Sequence, residues 1–228
     1  MAFNFQTIII ALAVGILPAL FWLWFWLRED KKRPEPHGLI TITFLGGFIA
    51  VLLALSAEKI IEDNILVSSS IIIILWSATE EIIKYLASYI TALRRREMDE
   101  PVDAMIYLMT TALGFAAFEN VLFLVSENNV LQNIISGNMR FIGATVLHTL
   151  TSGIVGLFIG LSFYKNPLKK KLYLFIGLIL SIGLHSVFNL LIINSNDESI
   201  FSIFGLVWFA IIILILLFEK VKRIKRQI

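Results

Sequence analysis

The chain alternates long apolar runs with short polar breaks. Seven runs stand out, at about 5–27, 39–57, 66–92, 102–126, 139–164, 169–194 and 200–218. At a rise of about 1.5 Å per residue, each is long enough as a helix to cross the roughly 30 Å hydrocarbon layer of a bilayer. The breaks at Arg28–Gly38, Glu58–Asn64, Arg94–Pro101, Glu127–Asn138, Lys165–Lys171 and Asn194–Ser199 are too short to hold a soluble domain. The pattern predicts an all-α, polytopic membrane helical bundle of about seven transmembrane helices, a single transmembrane domain over residues 1–228. The first run lacks a basic leader and a small-residue cleavage site, so it reads as a retained membrane helix.

Composition strengthens this picture. Hydrophobic residues make up 58% of the chain and charged ones only 16%, against about 25% charged in soluble domains. The basic residues also set an orientation. All but three of the 19 Lys and Arg fall in alternate breaks or the tail, around Arg28–Arg33, Arg94–Arg96, Lys165–Lys171 and Lys220–Arg226. The positive-inside bias predicts an outer N-terminus and a cytoplasmic C-terminus in a multi-pass protein of the cell membrane. The absence of an extended basic face argues against nucleic-acid binding, and the absence of cysteine excludes disulfides, thiolate metal sites and a Cys nucleophile. The cluster Phe21, Trp22, Trp24, Phe25 and Trp26 reads as an aromatic belt, and Gly153, Gly156 and Gly160 as close helix packing.

The apolar runs contain residues that are costly there. Glu80, Glu81 and Lys84 lie in the third run, Glu119 in the fourth, His148 in the fifth and His185 in the sixth, with Arg140 at the outer end of the fifth. A charged group at a helix centre costs about 2.5–3.5 kcal/mol on insertion scales, so these side chains must face one another or a wet cavity. Spacing favours convergence. Glu80 and Lys84 are four apart and Glu81 and Lys84 three, while Phe115–Glu119 and His185–Asn189 repeat the interval of four. Glu119, His148 and His185 all lie about seven to ten residues from their outer boundaries, roughly 10–15 Å deep. The polar site is therefore predicted from spans within about 66–194, in the outer half of the bilayer. Carboxylates beside a Lys, with imidazoles and an amide, suit activation of a water. Thr149, Thr151 and Ser152 form no nucleophile triad, since hydroxyls in membrane helices usually bond their own backbone. Arg140 reads as an interfacial anchor.

These residues, in order and each on its own helix, resemble the PrsW-type intramembrane proteases, a family related to the type II CAAX-prenyl proteases. Glu80-Glu81-x-x-Lys84 looks like the family's EExxK motif, and Phe115-x-x-x-Glu119 with Asn120 like its second motif. His148 and His185-x-x-x-Asn189 look like the third and fourth. The stretch from Leu17-Pro18 to Trp24, with Asp30 and Glu35-Pro36, is similar to its N-terminal region. The resemblance spans roughly residues 15 to 195. It implies an endopeptidase that cleaves a membrane-anchored protein, as in site-1 cleavage of an anti-sigma factor.

On that reading Glu80 is the base, and Glu81 and Glu119 are acid, proton-sharing partner or ligand. His148, His185 and Asn189 polarise the scissile carbonyl, while Lys84, Phe115 and Asn120 support them. The cofactor is either none or one zinc ion held by Glu119, His148 and His185. No HExxH helix is present, so a metal site would rest on tertiary convergence alone. The loops at 127–138 and Asn194–Ser199 are placed to control access. Other readings of the same residues are a non-catalytic membrane scaffold, a CAAX-protease-like maturation or immunity protein, and a proton relay. Neither the inverted repeats nor the broken helices of a transporter are visible in the sequence.

Overall fold

A computed structural model describes residues 5–29, 33–126, 139, 141–195 and 197–225. Its helices are α1 (Phe5–Glu29), α2 (His37–Asn64), α3 (Ser69–Ser88), α4 (Asp103–Ser126), α5 (Val146–Leu161), α6 (Pro167–Ile193) and α7 (Asp197–Val221). A π-helical turn, Tyr89–Leu93, continues α3, and another, Phe141–Thr145, leads into α5. No strand occurs among the described residues. Six helices are long and apolar enough to cross a membrane by composition alone. The exception is α3, where Glu80, Glu81 and Lys84 interrupt the apolar run. Two of those charges, Glu81 and Lys84, are buried and pair with each other at 2.5 Å.

At the centre stands α4. Its residues from Asp103 to Ala117 are all buried, and α1, α2 and α5 pack around it. A helix that is apolar on every side belongs in such a position. Small residues let the neighbours approach closely. A side chain on Gly114 would run into the carbonyl oxygen of Phe44 on α2, and a Cβ on Gly156 of α5 would lie 2.6 Å from the Cα of Met105. Outward surfaces are apolar, as on α2, where Ile49, Leu52 and Leu53 are exposed.

The expected break at Glu58–Asn64 is in fact helical. An N–H from Ile65 to the carbonyl of Ile61 (2.9 Å) closes α2 only after Asn64, and the helix overshoots the length a bilayer needs. The aromatic cluster divides by helical phase. Trp22 and Trp26, four apart, turn inward against Trp208 and Phe218 of α7 (5.7 and 5.5 Å between ring centroids), while Phe21 and Trp24 remain exposed. Two contacts tie together the breaks assigned to one side, and a third ties one of them to α4. Arg33 pairs with Glu100 at 3.0 Å, Tyr107 donates its hydroxyl hydrogen to Glu35, and Lys222 donates to the Glu29 carbonyl at 2.7 Å. Arg140, Asp30 and the 127–138 loop lie outside the described residues.

Candidate active site

The geometry of the site begins with a reversed stripe on α3. Ser77, Glu81, Lys84 and Ser88, spaced four, three and four apart, are buried, while Ile71, Ile74, Ile82 and Leu86 are exposed. The polar face turns inward because only there are partners available.

Glu81 is saturated. Its Oε1 accepts from Lys84 Nζ (2.5 Å) and His185 Nδ1 (2.7 Å) and lies 3.0 Å from the Thr151 hydroxyl, and its Oε2 accepts from Ser181 (2.8 Å). The Thr151 hydroxyl also lies 3.2 Å from the His148 carbonyl. Lys84 is fully buried, with its ammonium 3.0 Å from His148 Nδ1 and 5.1 Å from the Phe115 ring centroid. The remaining His148 nitrogen, Nε2, lies 3.1 Å from Glu119 Oε2.

These bonds assign the tautomers. An ammonium can only donate, so His148 Nδ1 carries a lone pair and Nε2–H points at Glu119. Glu81 accepts the Nδ1–H of His185, which leaves its Nε2 on the side of Glu80.

Glu80 differs from its neighbour. Its Oε2 is buried without a hydrogen-bond partner, 3.8 Å from His148 Nδ1 and 3.9 Å from His185 Nε2. Those gaps are too long for hydrogen bonds.

Glu80, Glu119, His148, His185 and Asn189 all line one cavity of about 240 Å³. Asn189 sits on its wall, with Nδ2 3.4 Å from Ser77 Oγ. Phe115 packs 5.3 Å from the His148 ring. Asn120 lies off the cavity and donates to Thr145 at 3.0 Å, tying α4 to the turn before α5. Of the three hydroxyls near His148, Thr149 bonds its own backbone at Thr145 (2.8 Å), whereas Thr151 also reaches Glu81.

Among the described residues, one group could hold a metal ion: Glu80, His148 and His185, with donor atoms within 4.8 Å of one another. It differs from the expected set in having Glu80 where Glu119 was named, and Glu119 stands next to it. One carboxylate and two imidazoles beside an open cavity fit a catalytic zinc, which takes three protein ligands and keeps one position for water. The bond from His185 to Glu81 supplies the carboxylate behind a ligating histidine that such sites use. For His148 to ligate, Lys84 or Glu119 has to release one of its ring nitrogens.

Two contributors escaped the sequence reading. Ser181 stands four residues before His185, so its place on the same face was legible. Glu58, near the C-terminal end of α2, lies within electrostatic reach of both Glu80 and Glu119. Read as a loop residue, it gave no sign of this.

A multi-pass helical membrane protein with carboxylates and imidazoles around a buried cavity has the makings of an intramembrane hydrolase. Comparison with known proteins makes the class specific. The family model described as "PrsW family intramembrane metalloprotease" matches residues 35–217. Protease PrsW of Clostridioides difficile is 30% identical over 191 residues, covering 78% of this chain and 77% of that protein. Protease PrsW of Geobacillus kaustophilus is 26% identical over 184 residues (80% and 79%), and that of Shouchella clausii 23% over 202 (88% and 90%). No solved structure matches. The chain belongs to the PrsW family and is an intramembrane protease.

Proposed function

We propose that this protease cuts a membrane-anchored protein, of the kind an anti-sigma factor represents, with water as nucleophile in the outer half of the bilayer. The observation that carries this is the Glu80 carboxylate oxygen, buried, without a hydrogen-bond partner and facing two imidazoles across less than 4 Å on a cavity wall. Glu80, His148 and His185 would hold a zinc ion, which when bound supplies Lewis-acid polarisation of water and carbonyl. Glu81, saturated by its four partners, fixes His185 and Lys84. Glu119, at the edge of the cavity, takes a proton from the attacking water as the new O–C bond forms. It returns that proton to the amide nitrogen as the C–N bond breaks, leaving a carboxylate and an amine. The Asn189 amide donates to the carbonyl oxygen as it gains charge.

A metal-free variant of this reading has Glu80 itself take the proton. The Lys84 ammonium favours it, because it already occupies His148 Nδ1. The N-out orientation read from the basic residues completes the proposal.

One preparation tests both variants. The purified protein in liposomes is analysed for metal and assayed on a library of fluorogenic single-span peptides. Zinc near one ion per chain, with cleavage lost to chelator and restored by zinc, is the expected result. Cleavage without metal that Glu80→Gln abolishes moves the assignment to the metal-free variant. Failure to cut any single-span peptide, with or without zinc, overturns the proposal.

A further inference from the structure

The cavity that holds the site is not polar throughout. Its far wall is apolar, formed by Leu147, Phe188, Ile192, Ile200 and Phe204, from α5, α6 and α7. Behind Phe188 lies a second, wholly apolar cavity of about 80 Å³, bounded by Leu184, Val187 and Leu191 of α6 and by Ile203, Leu206 and Val207 of α7. Phe188 lines both cavities. Its ring stacks on that of Phe204, with centroids 6.4 Å apart and planes 16° from parallel. Both phenylalanines are buried, whereas Val187 and Leu206, on the other side of the second cavity, are exposed. Phe188, stacked on Phe204, therefore stands between the apolar cavity and the one that Glu80 lines.

Packing isolates this seam from the others. α6 is held firmly by α3 and α5, and α7 by α5, but α6 and α7 touch each other only sparsely. Among the described residues, the side chains that line the apolar gap between them are all hydrocarbon. Gly143, in the π turn before α5, lies against the Phe204 ring, where any Cβ would strike it.

We propose that the α6–α7 seam is the lateral gate for a transmembrane substrate. The Phe188–Phe204 pair is its latch and, once parted, the subsite for a bulky apolar side chain next to the scissile bond. The inference rests on the protease reading given above. The occupant is a single-span protein segment, since the path runs from lipid through an apolar gap to an apolar-walled site. A polar peptide from the aqueous phase has no use for it.

The native chain has no cysteine, so a seam lock can be installed cleanly. Paired substitutions, Leu184→Cys with Val207→Cys or Leu191→Cys with Ile203→Cys, are joined by a short bifunctional methanethiosulfonate and released by reductant. Two probes are compared in the same liposomes: a fluorogenic single-span peptide, and a water-soluble hexapeptide carrying the same scissile sequence. Locking should lower cleavage of the single-span peptide at least tenfold, with recovery on reduction, and leave hexapeptide cleavage within about twofold. Equal cleavage of the single-span peptide in locked and unlocked protein would overturn the gate. So would parallel loss of both probes, because the seam would then be part of the site rather than its door. Failure of the protease reading is distinguishable, since neither probe would then be cut before locking.

A second measurement does not depend on turnover. A photo-crosslinking amino acid at Val187 or Leu206 in the Glu80→Gln protein should capture the single-span peptide, and the same group at Leu53 on the lipid face of α2 should not. Capture at Leu53 equal to that at Val187 would sink the proposal.

Discussion

Two adjacent glutamates, Glu80 and Glu81, meet opposite surroundings. About 100° of helical rotation separates them, enough to point Glu81 at Lys84, Ser181 and His185 and Glu80 into the cavity. They should therefore respond differently to the same change. Glu80→Gln is expected to lower cleavage by a thousandfold or more with little loss of thermal stability, since its Oε2 has no protein partner to lose. Glu81→Gln leaves the Lys84 ammonium buried without its counter-ion, and breaking a buried pair from one side costs about 3–5 kcal/mol. Its melting temperature in detergent, followed by fluorescence-detected size exclusion, should fall sharply. Adding Lys84→Met should recover part of that stability but none of the activity. A Glu80→Gln protein that melts as early as Glu81→Gln would contradict this division.

Helix contacts explain which positions tolerate a side chain. Gly114→Ala pushes a methyl into the Phe44 carbonyl, where both helix backbones would have to move apart, and should abolish the folded, monodisperse species. Gly38→Ala, near the start of α2 with open space around it, should leave expression and melting unchanged. Much at this scale was legible in the sequence. The spans follow from apolar runs and the site from ionisable residues at matching depth, because the bilayer penalises every polar group without a partner. The limits lie in what a single helix cannot reveal. Spacing allows Lys84 to reach Glu80 or Glu81, and only the positions of α5 and α6 select Glu81. Glu58 looked like a loop residue because α2 runs past the length a membrane requires. Trp22 and Trp26 looked like a belt because nothing in their own helix says that α7 covers them.

At the scale of the whole molecule, the proposal puts the basic breaks on one side and the reactive groups toward the other. The contacts Arg33–Glu100 and Lys222–Glu29 gather the basic ends together. If that side is the cytoplasm, a reporter fused at the C-terminus will be active only in a form that works inside the cell. Cleavage of a single-span peptide will then release a fragment on the outer side. A C-terminal reporter found outside would reverse both the orientation and the side of the cut.

The buried ion pair also bears on how the chain is made. Helices emerge from the ribosome in order, so α3 must be delivered to the lipid before the residues bearing His148, Ser181 and His185 have been translated. Lys84 and Glu81 sit three residues apart on one helix, so this pair can form without waiting for later segments. It cancels two of the three charges during biogenesis, and the imidazoles and hydroxyls take over as they arrive. Lys84→Ala should therefore lower the yield of integrated α3 even in a chain truncated after the π turn, as read by glycosylation mapping, before any active site could exist.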